Sequence, residues 1–213
     1  MNTFIQGVKR FVKHIQSFWK SQYYPNIDKT AHVSIKAKVL NADNLYMDEY
    51  TNINEGAYIM NTRAKFIMKK YSGAAVDLLA ITGNHLSVPG KHHKQITDQI
   101  KEQLDVNKDL DKDIIVDEDV WIGARVTLLG GSHLGRCCII GAGSVVRGTI
   151  PPYSIVYGNP AKIVGFRFPL KEILQHEEAL FPVEERIPVE ILQKNYEKYY
   201  LKRVKEIKEY NKI

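Results

Sequence analysis

The chain has 213 residues, 44% of them hydrophobic and 25% charged, with a formal net charge of +6. That composition is ordinary for a globular protein with one good core. It holds no apolar run near the roughly 20 residues of a membrane-spanning helix, and no N-terminal apolar segment with a small-residue cleavage site. The two cysteines, Cys137 and Cys138, are adjacent, so they build no disulfide framework and fit a reducing, cytoplasmic setting. No motif or aromatic-interleaved basic groove accompanies the positive charge, which argues against nucleic-acid binding.

Residues 1–26 read as an amphipathic helix. Phe4, Val8, Phe11, Ile15 and Phe18 recur at spacings of three and four, one helix face. Residues 1–25 carry Lys9, Arg10, Lys13 and Lys20 and no acid. The plain expectation is a helix packed on the body or on a neighbouring subunit. A weak contact with an anionic membrane surface is the sharper one, since apolar and basic faces occur together.

Residues 27–168 follow a different period. Val116, Ile122, Leu128, Leu134, Ile140 and Val146 lie six residues apart, and the fourth residue after each is Val120, Val126, Ser132, Cys138, Ser144 and Ile150. No helix has period six, and a plain strand alternates by two. Period six predicts a short strand and a turn, repeated as the side of a triangular solenoid. The aliphatic residue points into a narrow core and a small or β-branched residue sits at the corner. Each coil buries its apolar face only against its neighbours. A weaker series, Ile27, Val33, Val39 and Leu45, is followed four residues on by Ala31, Ala37, Asp43 and Glu49; the phase then slips at Ile53 and again at Ile67. Residues 27–86 are therefore expected to form less regular coils.

Residues 87–113 interrupt the repeat with a charged excursion in which Ile96, Ile100 and Leu104 suggest a short helix. An excursion this long in a compact domain is usually functional or disordered. After Pro169, residues 169–213 form a helical tail. Leu170, Ile173 and Leu174 mark one helix, and a longer one runs through Ile191, Leu192, Tyr196, Tyr199, Tyr200, Val204 and Ile207.

Three segments carry a resemblance: Val120-Trp121-Ile122-Gly123-Ala124, Ile140-Gly141-Ala142-Gly143-Ser144-Val145-Val146, and Ile150-Pro151-Pro152 through Gly158-Asn159-Pro160-Ala161-Lys162. Together they resemble the C-terminal signature of hexapeptide-repeat acetyltransferases, the family of galactoside, maltose, xenobiotic and polysaccharide O-acetyltransferases. The resemblance implies an all-β solenoid core, a left-handed parallel β-helix, with the N-terminal helix, excursion loop and C-terminal helices as additions. It implies a homotrimer with active sites between subunits, acetyl-CoA as co-substrate without a metal, and a saccharide-like acceptor.

The resemblance also assigns residues. Ile81-Thr82-Gly83-Asn84-His85 is similar to the segment carrying the catalytic histidine, so His85 is expected to act as general base. That role suits an imidazole near neutral pH. His92 and His93 are its rivals, and Asp77 or a backbone carbonyl would orient it. Trp121, Gly123, Ala124 and Ala142 would line the path of the pantetheine arm, and Arg147, Asn159 and Lys162 would meet the CoA phosphates. The chain departs from the usual pattern in showing Arg147-Gly148-Thr149 before Ile150. Asn61 and Asn84 would face the acceptor, with a turn or asparagine-ladder role as the alternative. Two other functions stay open: a non-catalytic scaffold or binding protein, and a trimeric zinc carbonic anhydrase-like enzyme, which needs three converging histidines.

Overall fold

In a computed structural model, residues 5–12, 15 and 23–211 are described. The period of six becomes three parallel faces of short strands. The first face stacks β1 (His32–Val33), β4 (Asn52–Ile53), β7 (Gly73–Ala74), β10 (Trp121–Ile122), β13 (Ile139–Ile140) and β16 (Ser154–Tyr157). The second stacks β2 (Lys38–Val39), β5 (Tyr58–Met60), β8 (Leu79–Ile81), β11 (Thr127–Leu129) and β14 (Val145–Val146). The third stacks β3 (Leu45–Met47), β6 (Phe66–Met68), β9 (Ile114–Val116), β12 (His133–Leu134) and β15 (Thr149–Ile150). Each coil contributes one strand per face, and β17 (Lys162–Phe166) closes the first face antiparallel to β16.

Burial follows the hexad. Val116, Ile122, Leu128, Leu134, Ile140 and Val146 are all fully buried, and every residue four positions later is buried too. Strand register explains this: Ile122 sits over Ile140 and Leu128 over Val146, so like positions stack in columns down the axis. Glycine is required where coils touch at a corner. A Cβ on Gly123 would lie 2.7 Å from the Ala142 nitrogen and 2.8 Å from the Ile140 oxygen of the next coil, inside van der Waals contact.

The earlier coils obey the same rule once the slips are located. Val39 to Met47 is eight positions, Ile59 to Met68 nine and Ala80 to Val116 thirty-six, against six elsewhere. All three insertions fall between the second face and the third, at one corner. There the expected corner residue Asp43 is exposed, because it belongs to an inserted turn, Ala42–Asn44. Glu49 is exposed as well, since the inward position has moved to Met47 and Thr51. Ile67 points outward between buried Phe66 and Met68.

The corner is bound by an asparagine ladder. The Asn61 amide donates to the Asn41 carbonyl at 2.8 Å and accepts from the Asn41 N–H at 3.1 Å. Asn44 donates to the carbonyls of Asn61 and Thr62. These bonds satisfy backbone groups that the inserted turns withdraw from the strand ladder.

The N-terminal helix α1 covers residues 5–12, and Ile15 is also helical. Every described side chain in it is exposed, so the expected packing on the body is absent from this chain. Phe4, Phe18 and Trp19 lie outside the described residues. The excursion carries α2 (Asp98–Leu104), whose Thr97 side chain caps the Ile100 N–H; Ile96 precedes the helix.

The tail forms α3 (Leu170–Leu180), α4 (Val189–Tyr199) and α5 (Val204–Tyr210). The single long helix expected over 191–207 is thus two. Tyr200 leaves helical geometry and lays its ring against Phe166, and Arg203 then reaches the Ile163 carbonyl. Buried Glu177 fastens the tail. It accepts from Tyr153 Oη at 2.7 Å, from Arg136 Nη1 at 3.2 Å and from the Ile187 N–H at 3.0 Å. Burial pushes the neighbouring Cys137 thiol up to about 12, which keeps it protonated and inert.

Candidate active site

Stacked insertions make one corner of the prism wide, and a cavity of about 520 Å³ opens there. Its walls are outward residues of the second face, Met60, Ile81 and Leu129, and the excursion residues Asp109, Leu110 and Lys112. His85, Asn84 and Arg147 reach into it. A pocket with apolar walls and a few convergent polar groups is the usual form of a small-molecule site.

His85 leaves β8 through Thr82 and Gly83. Thr82 holds this exit to the coil below, its N–H and hydroxyl both donating to the Met60 carbonyl at 3.1 Å. Gly83 has no room for a side chain, since its Cβ would stand 2.8 Å from Asp111 Oδ1. Asn84 accepts the His85 N–H at 2.8 Å. The His85 ring is exposed and meets His93 edge to face, with centroids 4.8 Å apart. The rival His93 is therefore part of the same cluster. His92 sits on the adjoining turn, where its N–H donates to Gln95 Oε1 at 2.8 Å.

Two residues that sequence reasoning passed over hold the cluster in place. Lys101 Nζ, on α2, donates to the Asn84 carbonyl at 2.8 Å and to Asp111 Oδ1 at 2.7 Å. Their side chains are only 12% and 4% exposed. In the sequence both stand in a charged stretch that reads as solvated. Arg63 adds ion pairs to Asp98 and Glu102 at 3.3 Å each, pinning α2 to the second insertion.

The other expected site residues fall into separate places. Ala124, Ala142, Asn159 and Lys162 line the corner between the first and second faces, across the second face from the cavity. Asn159 and Lys162 are exposed there, free to meet an anion. Gly123 is buried against Ala142 and Ile140, so it packs coils together and presents nothing to a ligand. Trp121 is half exposed on the first face, beside Tyr71, Asn52 and Arg167 at a shallow depression of about 360 Å³. Asn61 is fully buried with its amide spent on Asn41, which is the ladder role and leaves no acceptor contact. Asp77 lies on the corner away from the cavity and pairs with Arg125 at 3.4 Å, so it does not orient His85.

His133 points outward, as expected, but on the third face, where Nε2 lies 2.8 Å from Asp117 Oδ2. The hydrogen bond to Asp117 raises the imidazole above its usual 6.5. Burial pushes the Asp117 carboxyl up, but the bonds to His133 and Lys69 outweigh it and leave the group below 3.8. Among the described residues, no three His, Cys, Asp or Glu side chains are grouped as metal ligands.

Comparison with known proteins places this geometry in a class. Residues 113–148 match the family model described as bacterial transferase hexapeptide (six repeats). Over 126 residues, 59% of the chain, the sequence is 36% identical to a probable macrolide acetyltransferase of Lysinibacillus sphaericus, covering 62% of that protein. Over 51 residues, 24% of the chain, it is 43% identical to the putative lipopolysaccharide biosynthesis O-acetyl transferase WbbJ of Escherichia coli, covering 26% of it. The chain thus spans less than two thirds of these relatives' lengths.

A hexapeptide-repeat-containing acetyltransferase from Vibrio cholerae superposes with a TM-score of 0.54 at 20% identity, over 67% of this chain and 73% of that one. The Bacillus cereus N-acyltransferase AntD, solved with dTDP and coenzyme A, gives a TM-score of 0.55 at 17% identity, over 76% and 94%. The molecule is a left-handed parallel β-helix with C-terminal helices. In family terms the chain is a hexapeptide-repeat protein of the bacterial transferase type.

Proposed function

We propose that the protein is an acetyl-CoA-dependent acetyltransferase that modifies a hydroxyl of a saccharide-like acceptor, with His85 as general base. The observation that carries the reading is the convergence of His85, Asn84 and Arg147 on one cavity at the corner where the repeat is interrupted. A thioester is already activated for acyl transfer, so the protein's work is to place the acceptor and move a proton. His85 takes the proton of the attacking hydroxyl and returns it to the departing sulfur. Arg147 supplies positive charge at the cavity's edge. The exposed Ala124–Ala142 corner, with Asn159 and Lys162, supplies a shallow track for an extended chain ending in phosphates. Small residues fit there for a physical reason: the Gly123–Ala142 approach leaves no space for bulk.

The cavity and the track stand on opposite margins of the second face of one chain. A homotrimer, with one subunit's track against another's His85, reconciles them in a site between subunits. The related proteins named as O-acetyl, macrolide and N-acyltransferases support acyl transfer and leave an amine acceptor as the variant of this reading. A cytoplasmic setting rests on the two free, buried thiols, Cys137 and Cys138; no helix among the described residues is long and apolar enough to cross a membrane.

The test is thiol release from acetyl-CoA with mono- and oligosaccharide acceptors, comparing the native chain with His85→Ala. Acceptor-dependent release that falls by about 100-fold or more supports the base. Release unaffected by the substitution moves the role to His93 or His92. No release and no acetyl-CoA binding sinks the transferase reading in favour of a scaffold.

A further inference from the structure

We propose that α1 docks the protein on an anionic phospholipid surface. Ile5, Val8, Phe11, Val12 and Ile15 are 39–66% exposed. At 100° per residue they fall within an arc of about 120°, a typical apolar stripe. Such a stripe normally rests on something. In this same chain α3 and α4 bury Ile173 and Leu192 against the body; α1 buries none of its described residues.

Charge selects the occupant. Lys9 and Arg10 stand beside the stripe, Lys13 and Lys20 follow in sequence, and the first acidic residue of the chain is Asp28. A protein partner of mixed surface charge needs no such one-signed face. An acidic headgroup layer does, and it takes the apolar stripe into its acyl boundary while the cations stay among the phosphates. Since no described helix is long and apolar enough to span a bilayer, the contact is interfacial and reversible. It is independent of the catalytic reading.

The experiment is cosedimentation of the full chain with vesicles of phosphatidylcholine alone or mixed with phosphatidylglycerol. Binding to the anionic vesicles is expected to exceed binding to the neutral ones by about tenfold or more, and to weaken as salt rises. Lys9→Gln with Arg10→Gln tests the charge. Phe11→Gln with Val8→Gln tests the stripe. Each pair is expected to lower the bound fraction about fivefold or more while thiol release in solution stays unchanged. Equal binding to both vesicle types, no binding to either, or binding indifferent to both pairs overturns the proposal. A change of sedimentation mass in the Phe11 pair, with vesicle binding intact, would instead assign α1 to a second copy of the chain.

Discussion

Replacing Lys101 by Met removes a single ammonium whose two partners are worth separating. One is the carboxylate of Asp111, 4% exposed, and the other is the carbonyl of Asn84, beside the candidate base. Taking one member from a buried pair leaves the other charge unpaired and costs about 3–5 kcal/mol. Lys101 keeps 12% exposure, so the low end, about 3 kcal/mol, applies. The repeat ladder does not depend on this pair, so the loss appears as local opening of the excursion, more populated by a factor of about 100. Amide exchange should accelerate over residues 97–111 and stay slow at Leu128, Leu134 and Ile140. Acceptor KM should rise with the loosened Asn84–His85 segment. Adding Asp111→Leu to Lys101→Met should recover most of the protection, because removing both polar partners costs less than orphaning one. Unchanged exchange over 97–111 in Lys101→Met would refute the reasoning, as would acceleration spread evenly along the ladder.

Other substitutions probe the rest of the molecule. Leu128→Ala empties a fully buried column between Ala80 and Val146 and should cost about 2–5 kcal/mol, read as a lowered melting temperature with cooperativity kept. Glu177→Ala orphans Arg136, Tyr153 and the Ile187 N–H together. It should release the tail, by about 3 kcal/mol or more, detected as new proteolytic cleavage after Phe168 with the core resistant. The His133–Asp117 pair sets a pH window. His133, raised above 6.5, contributes fully below that value and loses its contribution as pH climbs through its folded pKa. Asp117, held below 3.8, contributes fully above that value and loses its share only as pH falls through its folded pKa. The melting temperature should therefore be highest between about pH 4 and 6.5. The shift is small, since His133 is 41% exposed. His133→Gln should abolish the decline above that window.

The β-helix was legible because its cause is short-range: six residues, one inward aliphatic, one small corner residue, visible without knowing the partner strand. The early coils were harder, since Asp43 and Glu49 occupied corner positions of a frame that the inserted turns had already shifted. Period alone cannot tell a lost repeat from a lengthened corner. His85 and its cavity neighbours Asn84 and Arg147 came from local motifs. Lys101, Asp111 and Asp109 did not, because a charge in a polar stretch looks solvated until the excursion folds back on the coil. Asn61 erred the other way: an asparagine in a promising run proved to be bonded to backbone. The split of the last helix at Tyr200 depended on where Phe166 lies, a tertiary fact.

The confinement of all extra length to one corner has a bearing on how such chains can change. The base of the excursion is closed by a single hydrogen bond, Lys112 N–H to the Thr82 carbonyl at 2.9 Å, and the next coil resumes in register with Ile114 beside Phe66. Anything may be spliced between those two residues without disturbing the columns above or below, because loop-closure entropy grows only with the logarithm of length. The other two corners have no such freedom, being set by Gly123 against Ala142 and Gly135 against Pro152. The fold thus behaves as a rack with one open side. Exchanging residues 83–111 for a segment of another length should alter what the cavity accepts and leave the melting of the ladder nearly where it was.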